Sequence, residues 1–159
     1  MMTNKLNFSK ALFFVFILSL AGCATVNVPH YIQAQHPYER TYYGSFNDVL
    51  EAVRSSLKQE GWQIAKEVDP NMYERDPLHK PGDEQHILIF TEIKRAQRFV
   101  YTRSTHLNVY VSRIDGGVQV DMRYGSVKDF RLWKMRSYRN ERLVKKILDR
   151  IGQKLLLNK

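Results

Sequence analysis

The 159-residue sequence predicts an α+β domain, with an antiparallel sheet of about four strands and an N-terminal and a C-terminal amphipathic helix packed on one face. Three observations indicate this class. Apolar residues recur at helical spacing near both ends of the domain, and two alternating runs flank an Asp-Gly-Gly turn. The composition, 43% hydrophobic and 26% charged, is that of a globular chain.

The first helix is expected from about Phe46 to Glu60. Ser45, with Asp48 three residues later, resembles a capping box, and Gly61 stands where a C′ glycine ends a helix. The apolar face falls at i, i+3, i+4, i+7 and i+11: Phe46, Val49, Leu50, Val53 and Leu57.

Two strands are expected after this helix, at residues 62–68 and 86–94, with a polar surface loop over residues 71–85. Residues 95–103 are compatible with a turn followed by a strand or with one irregular connection. Three charged residues are predicted to keep the outer face of the sheet polar: Lys66, Glu92 and Arg123.

The clearest hairpin in the sequence joins residues 106–114 to residues 118–124, and Asp115-Gly116-Gly117 suits its turn. The terminal helix is expected from about Glu141 to Leu157 with Asn140 as its N-cap. Its apolar face has the same spacing as that of the first helix: Val144, Ile147, Leu148, Ile151 and Leu155.

Between hairpin and terminal helix, residues 128–139 interleave aromatic side chains with cations. Ser126 and Asp129 form a second capping pair, but the apolar positions fit neither the helical nor the strand period. Aromatics flanked by Arg suit a contact with a partner or an anionic surface, whereas the alternative is that the aromatics fill the core. The candidate contact residues are Phe130, Arg131, Trp133, Lys134, Arg136, Tyr138 and Arg139.

The N-terminus has the pattern of a secretory signal peptide. Lys5 and Lys10 precede the apolar run ALFFVFILSL, which is too short for an ordinary transmembrane helix. The next residues, Leu20-Ala21-Gly22-Cys23, resemble the lipobox of bacterial lipoproteins. This resemblance implies cleavage between Gly22 and Cys23, a diacylglyceryl group on the Cys23 sulfur and acylation of the new amino group.

The same resemblance implies a location and a domain organisation. Ala24, in place of Asp, favours the outer membrane, with the protein on its periplasmic face. Residues 1–22 would be the removed signal, residues 23–41 a lipidated, flexible tether, and residues 42–159 a single α+β domain. The domain pattern resembles small envelope lipoproteins, including the lipoprotein subunits of the outer-membrane β-barrel assembly machine.

Charge is divided unevenly between the two halves of the mature chain. Residues 23–93 carry a net charge of −5 and residues 94–159 a net charge of +12. Such asymmetry points to a partner, and export to the envelope argues against nucleic acid. We therefore expect an envelope protein as partner, besides the membrane that holds the lipid; the alternative is a solvated basic face.

No motif for catalysis is present in the sequence. Ser45 and Ser126 lack a nucleophile elbow, there is no glycine-rich phosphate loop, and one Cys excludes an intramolecular disulfide. His79, Asp83, Glu84 and His86 are close in sequence, but a Pro-Gly pair interrupts them, and we predict no metal site. No cofactor is expected apart from the covalent lipid.

These observations predict a lipid-anchored, non-catalytic assembly component of the envelope that docks on a partner through its basic half. The alternative is a lipoprotein that binds a small apolar or anionic ligand. A pocket lined by Phe90, Tyr110 and Met122 would favour that alternative.

Overall fold

The computed structural model describes residues 31–32, 38–73, 85–130 and 132–157, which form two helices and one seven-stranded antiparallel sheet. A short 3₁₀ turn at Pro70–Met72 follows the second strand. In chain order the elements are β1 (Tyr38–Tyr42), α1 (Phe46–Gln59), β2 (Ile64–Val68), β3 (His86–Thr91), β4 (Lys94–Gln97), β5 (Thr102–Ile114), β6 (Gly117–Asp129), β7 (Lys134–Ser137) and α2 (Glu141–Leu157).

The α+β class is confirmed, but the expected number of strands, about four, is wrong. The strand order is β1-β6-β5-β3-β2, with β4 also paired to β5 and β7 also paired to β6. The additional strands are edge strands of four or five residues, whose alternation is too short to stand out in the sequence. They form because the long central strands offer backbone groups that must be paired.

The hairpin of β5 and β6 is the longest feature of the sheet. Each strand has 13 residues, and Ile114 lies opposite Gly117 across a two-residue turn. Gly116 in that turn has φ of 87°, a conformation that favours glycine. At the other end Thr102 lies opposite Asp129, so both strands run further from the turn than the alternation predicted. At about 3.3 Å per residue the hairpin is about 43 Å long.

Both helices pack on one face of the sheet, as predicted. The predicted apolar face of α1 is buried in full, and four of the five apolar residues predicted for α2 are buried, with Leu155 half-buried. Ser45 Oγ accepts from the Asp48 N–H at 3.1 Å, Gly61 has φ of 72° after the helix, and Asn140 Oδ1 accepts from the Leu143 N–H at 3.3 Å. The sheet contributes mainly Leu107, Val109, Val111, Val120, Met122 and Tyr124 to this core.

Strand β1 begins inside the segment that was expected to be tether. Tyr38 to Tyr42 pair with Met122 to Val118, so residues 38–41 belong to the sheet. The Tyr42 hydroxyl donates to the Leu148 carbonyl at 2.6 Å, which joins this edge strand to α2. Burial raises the pKa of Tyr42 to about 12.

The second face of the sheet is covered in part, which the sequence did not indicate. Arg123 was expected to face solvent, yet it is only 3% exposed. It donates to Asp121 Oδ2 at 3.1 Å and to the Tyr31 hydroxyl at 2.9 Å, while the Ile32 N–H donates to Asn108 Oδ1 at 2.7 Å. Residues 31–32 therefore lie across strands β5 and β6. The other two predicted outer positions, Lys66 and Glu92, are exposed.

Neither helix in the described part of the chain combines the length and hydropathy needed to cross a membrane.

Candidate interaction surface

The predicted contact residues lie on the β6–β7 turn, on β7 and just beyond it. Trp133, Lys134, Arg136 and Arg139 are exposed, and Tyr138 and Phe130 are half-buried. Arg131 lies outside the described residues. Neither Phe130 nor Trp133 belongs to the core, which excludes the interpretation that these aromatics fill it.

Strand β6 continues through the residues that were predicted as a second helix cap. Ser126 pairs across the sheet with Thr105 and with Ser137, and Asp129 pairs with Lys134. The capping pair had left a helix open for this segment, and it does not form, because β6 pairs with β5 and β7 through these residues.

The β6–β7 turn is closed by its own backbone and aromatic rings. The Phe130 N–H donates to the Trp133 carbonyl at 3.0 Å, and the two rings stack with centroids 4.4 Å apart and planes at 7°. Below the turn, Lys134 Nζ lies 3.9 Å from Asp129 Oδ2. This geometry holds Trp133 outward, with its side chain half in solvent.

A second turn, between β4 and β5, lies beside the first. The Arg98 N–H donates to the Tyr101 carbonyl at 2.8 Å, and the Tyr101 ring lies 5.0 Å from the Phe130 ring. Because Thr102 lies opposite Asp129, both turns stand at the same end of the long hairpin. We call this protruding end the aromatic tip, made of Phe99, Val100, Tyr101, Phe130, Leu132 and Trp133.

The aromatic tip exposes an unusual amount of apolar surface. Phe99 and Leu132 are essentially fully exposed, at 105% and 95%, and Val100 is exposed at 63%. Single exposed apolar residues are normal, but a contiguous group of them marks a binding surface. The contact residues predicted from the sequence did not include Phe99, Val100 and Tyr101. These three apolar residues lie in a segment whose pattern indicates neither a helix nor a strand, so nothing in the sequence marked them as a surface. The pairing of β5 with β6 places the turn that carries these residues beside the turn that carries Trp133.

Cations surround the aromatic tip. The segments 95–103 and 128–139 contain eight Arg and Lys residues and one acid, Asp129. Lys128 Nζ lies 5.5 Å from the centre of the Tyr101 ring, and Arg103 donates to the Tyr124 hydroxyl at 2.7 Å. Arg95, Arg98, Lys134 and Arg136 are exposed. The surface therefore combines an apolar centre with a positive rim.

The pocket considered for a small ligand does not form. Tyr110 lies opposite Leu88, and both pack with Phe90 on the second face of the sheet, whereas Met122 is fully buried on the face that carries the helices. Beside α1 there is instead an open groove of about 490 Å³. Its lining includes Glu51, Arg54, Ser55, Lys58, Trp62 and Ile64.

The other candidate residues lie mostly outside the described part of the chain. This holds for Gly22, Cys23, His79, Asp83 and Glu84. His86 is described, and its Nε2 lies 3.3 Å from Asp69 Oδ1. Within residues 31–32, 38–73, 85–130 and 132–157 there is no group of three or more side chains that could hold a metal ion.

A scan against protein-family models finds no family that matches this chain, and a search of curated proteins finds no significant match.

Proposed function

We propose that this protein is a non-catalytic lipoprotein of the bacterial envelope, held by a lipid on Cys23 at the periplasmic face of the outer membrane. Its basic C-terminal half docks on an envelope protein, and the protein acts as a structural or assembly component. One observation carries docking through this half: the cations Arg136 on β7 and Arg142 and Lys145 on α2 are exposed to solvent.

The charge distribution of the folded chain supports docking through the C-terminal half. Strand β7 exposes Lys134 and Arg136, and α2 adds the exposed Arg142 and Lys145. A surface with one sign of charge attracts an oppositely charged partner over a distance of about one Debye length, 8 Å at physiological salt. The expected partner therefore presents an acidic surface.

The two serines considered as nucleophiles have structural roles, which supports a non-catalytic function. Ser45 caps α1 through the Asp48 N–H and also donates to Asp48 Oδ2 at 2.6 Å. Ser126 lies in the middle of the sheet, and its hydroxyl accepts from Arg103 Nε at 3.3 Å. For Ser126, nucleophilic catalysis would need a base beside the hydroxyl, and an arginine that stays protonated cannot act as one.

The lipid anchor is tested by replacing the acylated residue. We expect Cys23→Ala to remain unprocessed and to take up no radiolabelled palmitate, because no thiol is present to receive the diacylglyceryl group. Ser19→Ala, in the same segment, serves as the matched control and should be processed and labelled normally. Normal processing of Cys23→Ala would contradict the proposal.

Docking is tested by photo-crosslinking in intact cells. A photoreactive amino acid at Arg136 or Arg142 should capture a discrete protein, whereas one at Glu51, which is exposed in the acidic half, should not. Crosslinks from Glu51 alone would place the contact elsewhere and refute docking through the basic half.

The alternative function, binding of a small ligand, has one feature in its favour. The groove beside α1 is large enough for a small molecule and is lined by Trp62 and Ile64. If it binds a ligand, a lipid extract of the envelope should change the fluorescence of Trp62 in a Trp133→Phe background. Ile64→Phe, which fills the groove without adding a second tryptophan, should abolish that change.

A further inference from the structure

The aromatic tip has the side chains that favour a membrane–water interface. Phe99 and Leu132 project fully into solvent, and Trp133 is exposed at 56%. Trp is enriched at the level of lipid headgroups, because its ring is apolar and its indole N–H is polar. Phe and Leu provide the apolar area that drives shallow insertion.

The shape of the tip favours lipid over a protein as the occupant. Its residues lie on two adjacent turns that protrude beyond the last strand pair, Thr102 with Asp129. Anchor residues in protein complexes fill preformed pockets, which requires a partner of matching shape. A protruding pair of turns can instead enter the soft boundary between headgroups and acyl chains without such a match.

The charge around the tip indicates which lipids it would contact. Arg95, Arg98 and Lys134 are exposed around the apolar centre, and Asp129 is the one acid in the two segments. Cations near a bilayer are attracted by anionic headgroups, and each contributes a fewfold gain in binding. Anionic phospholipid is therefore the complementary surface.

The first described residues, Tyr31 and Ile32, show where the chain that follows Cys23 meets the sheet. A Cβ added to Gly125 would lie 2.9 Å from Ile32 Cδ1, so Ile32 packs on β6 at that position. Gly125 is four residues from Asp129 at the tip, about 13 Å, and eight residues from Gly117 at the opposite end, about 26 Å. The hydrogen bonds of Tyr31 and Ile32 go to Arg123 and Asn108, which pair with each other six residues from either end of the hairpin. The N-terminal segment therefore contacts the sheet near its middle, about 20 Å from Asp129 at the tip.

Covalent geometry limits how far the lipid can be from that position. Cys23 precedes Tyr31 by eight residues, and eight residues span at most about 29 Å. A lipid on Cys23 thus keeps the bilayer surface within reach of the end of the sheet that carries the aromatic tip.

We propose that the aromatic tip inserts into the headgroup region of the membrane that holds the lipid on Cys23, with its cations on anionic phospholipid headgroups. This inference deepens the proposed function and rests on its lipid anchor. The tip is a second membrane contact that orients the domain, and it leaves Arg136 on β7 and the exposed cations of α2 at the side of the sheet for the protein partner.

The experiment uses the full processed, acylated protein in vesicles of phosphatidylcholine with phosphatidylglycerol. Quenching by bromine on the lipid acyl chains, and by iodide in the water, reports where Trp133 lies. The buried Trp62, which is 4% exposed, serves as the internal reference. The Trp133→Phe variant gives the fluorescence of Trp62 alone, so that the signal of Trp133 can be obtained by difference. We expect Trp133 to be quenched by brominated lipid and protected from iodide.

Two pairs of variants separate the apolar from the ionic contribution. Phe99→Ser with Leu132→Ser should lower about tenfold the ratio of protein with its tip in the bilayer to protein with its tip in water. Leu156→Ser with Leu157→Ser, at two exposed leucines of α2, should not change this ratio. Arg98→Ser and Lys134→Ser should each lower it about fivefold, and the omission of phosphatidylglycerol should lower it more than either substitution, while Arg142→Ser should have no effect.

The outcomes distinguish the inference from the proposed function. Acylated protein whose Trp133 stays open to iodide in these vesicles would overturn the inference and leave the anchor standing. Protection in native membranes but not in protein-free vesicles would also overturn it, in favour of a protein occupant. Absence of palmitate from the purified protein would refute the anchor itself.

Discussion

Arg54 on α1 and Glu67 on β2 form the best-defined ion pair between a helix and the sheet. Arg54 Nε and Nη2 donate to the two carboxylate oxygens of Glu67 at 2.8 and 2.6 Å. The guanidinium hydrogen bonds lower the pKa of Glu67 below its ordinary value of 4.5, although partial burial opposes this shift. Such a bidentate pair fixes geometry as well as adding energy. It ties the N-terminal helix to the strand that follows it.

We expect Glu67→Gln to lower the free energy of unfolding by about 1 kcal/mol at neutral pH, a modest value because Arg54 is 37% exposed. A carboxylate with a lowered pKa stabilises the fold above its unfolded pKa, and this contribution is lost as pH falls through the folded pKa. Wild type and variant should therefore converge in urea unfolding below about pH 4. Glu51→Gln is the control and should change stability little, since Glu51 is 71% exposed and lies 3.7 Å from Arg54. A loss of unfolding free energy in Glu67→Gln that does not depend on pH would contradict the role given to the ion pair.

At the scale of the element, the same local pattern has two outcomes. Ser45 with Asp48 and Ser126 with Asp129 have the same spacing, but the first begins α1 and the second lies in β6. The sequence after Ser45 continues with apolar residues at helical spacing, which provides a face to bury. Ser126 instead lies in β6, where it is flanked by β5 on one side and β7 on the other. The pairing of these strands overrides the capping signal.

We expect Ser45→Ala to destabilise the protein by about 1 kcal/mol, because the Asp48 N–H at the start of α1 loses its acceptor. Ser45→Asp should restore most of the loss, since Asp is an equally good N-cap. Thermal unfolding followed by circular dichroism measures both. Equal Tm values for Ser45→Ala and wild type would show that the cap contributes nothing.

At the scale of the whole molecule, the buried core and the proposed binding surface lie in different regions of the same hairpin. Leu107 and Val109 are fully buried near the middle of β5, whereas Phe99, just before that strand, is fully exposed. Burial of apolar area stabilises the fold only for the first group. Substitutions of exposed tip residues should therefore alter the proposed binding without unfolding the domain.

We expect Phe99→Ser with Leu132→Ser to change the unfolding free energy by less than about 0.5 kcal/mol. Leu107→Ala, in the same hairpin, should cost about 3 kcal/mol through lost burial and the cavity it leaves. Urea denaturation of the three proteins side by side makes the comparison. A large loss in the tip variant would show that the tip supports the core after all.

The sequence by itself determined both helices, their caps and the central hairpin, because these depend on periodicity and turn residues within a few positions. The lipobox at Cys23, also local, predicts the anchor and remains a prediction. The tertiary structure decided the edge strands, the burial of Arg123 beneath Tyr31 and the contact of Tyr101 with Phe130 that joins the two turns of the tip. Strand β1, the burial of Arg123 and the meeting of the two turns depend on contacts between residues far apart in the sequence, which local periodicity does not encode. Strands β4 and β7 pair with near neighbours in the sequence, but they are too short for their alternation to stand out.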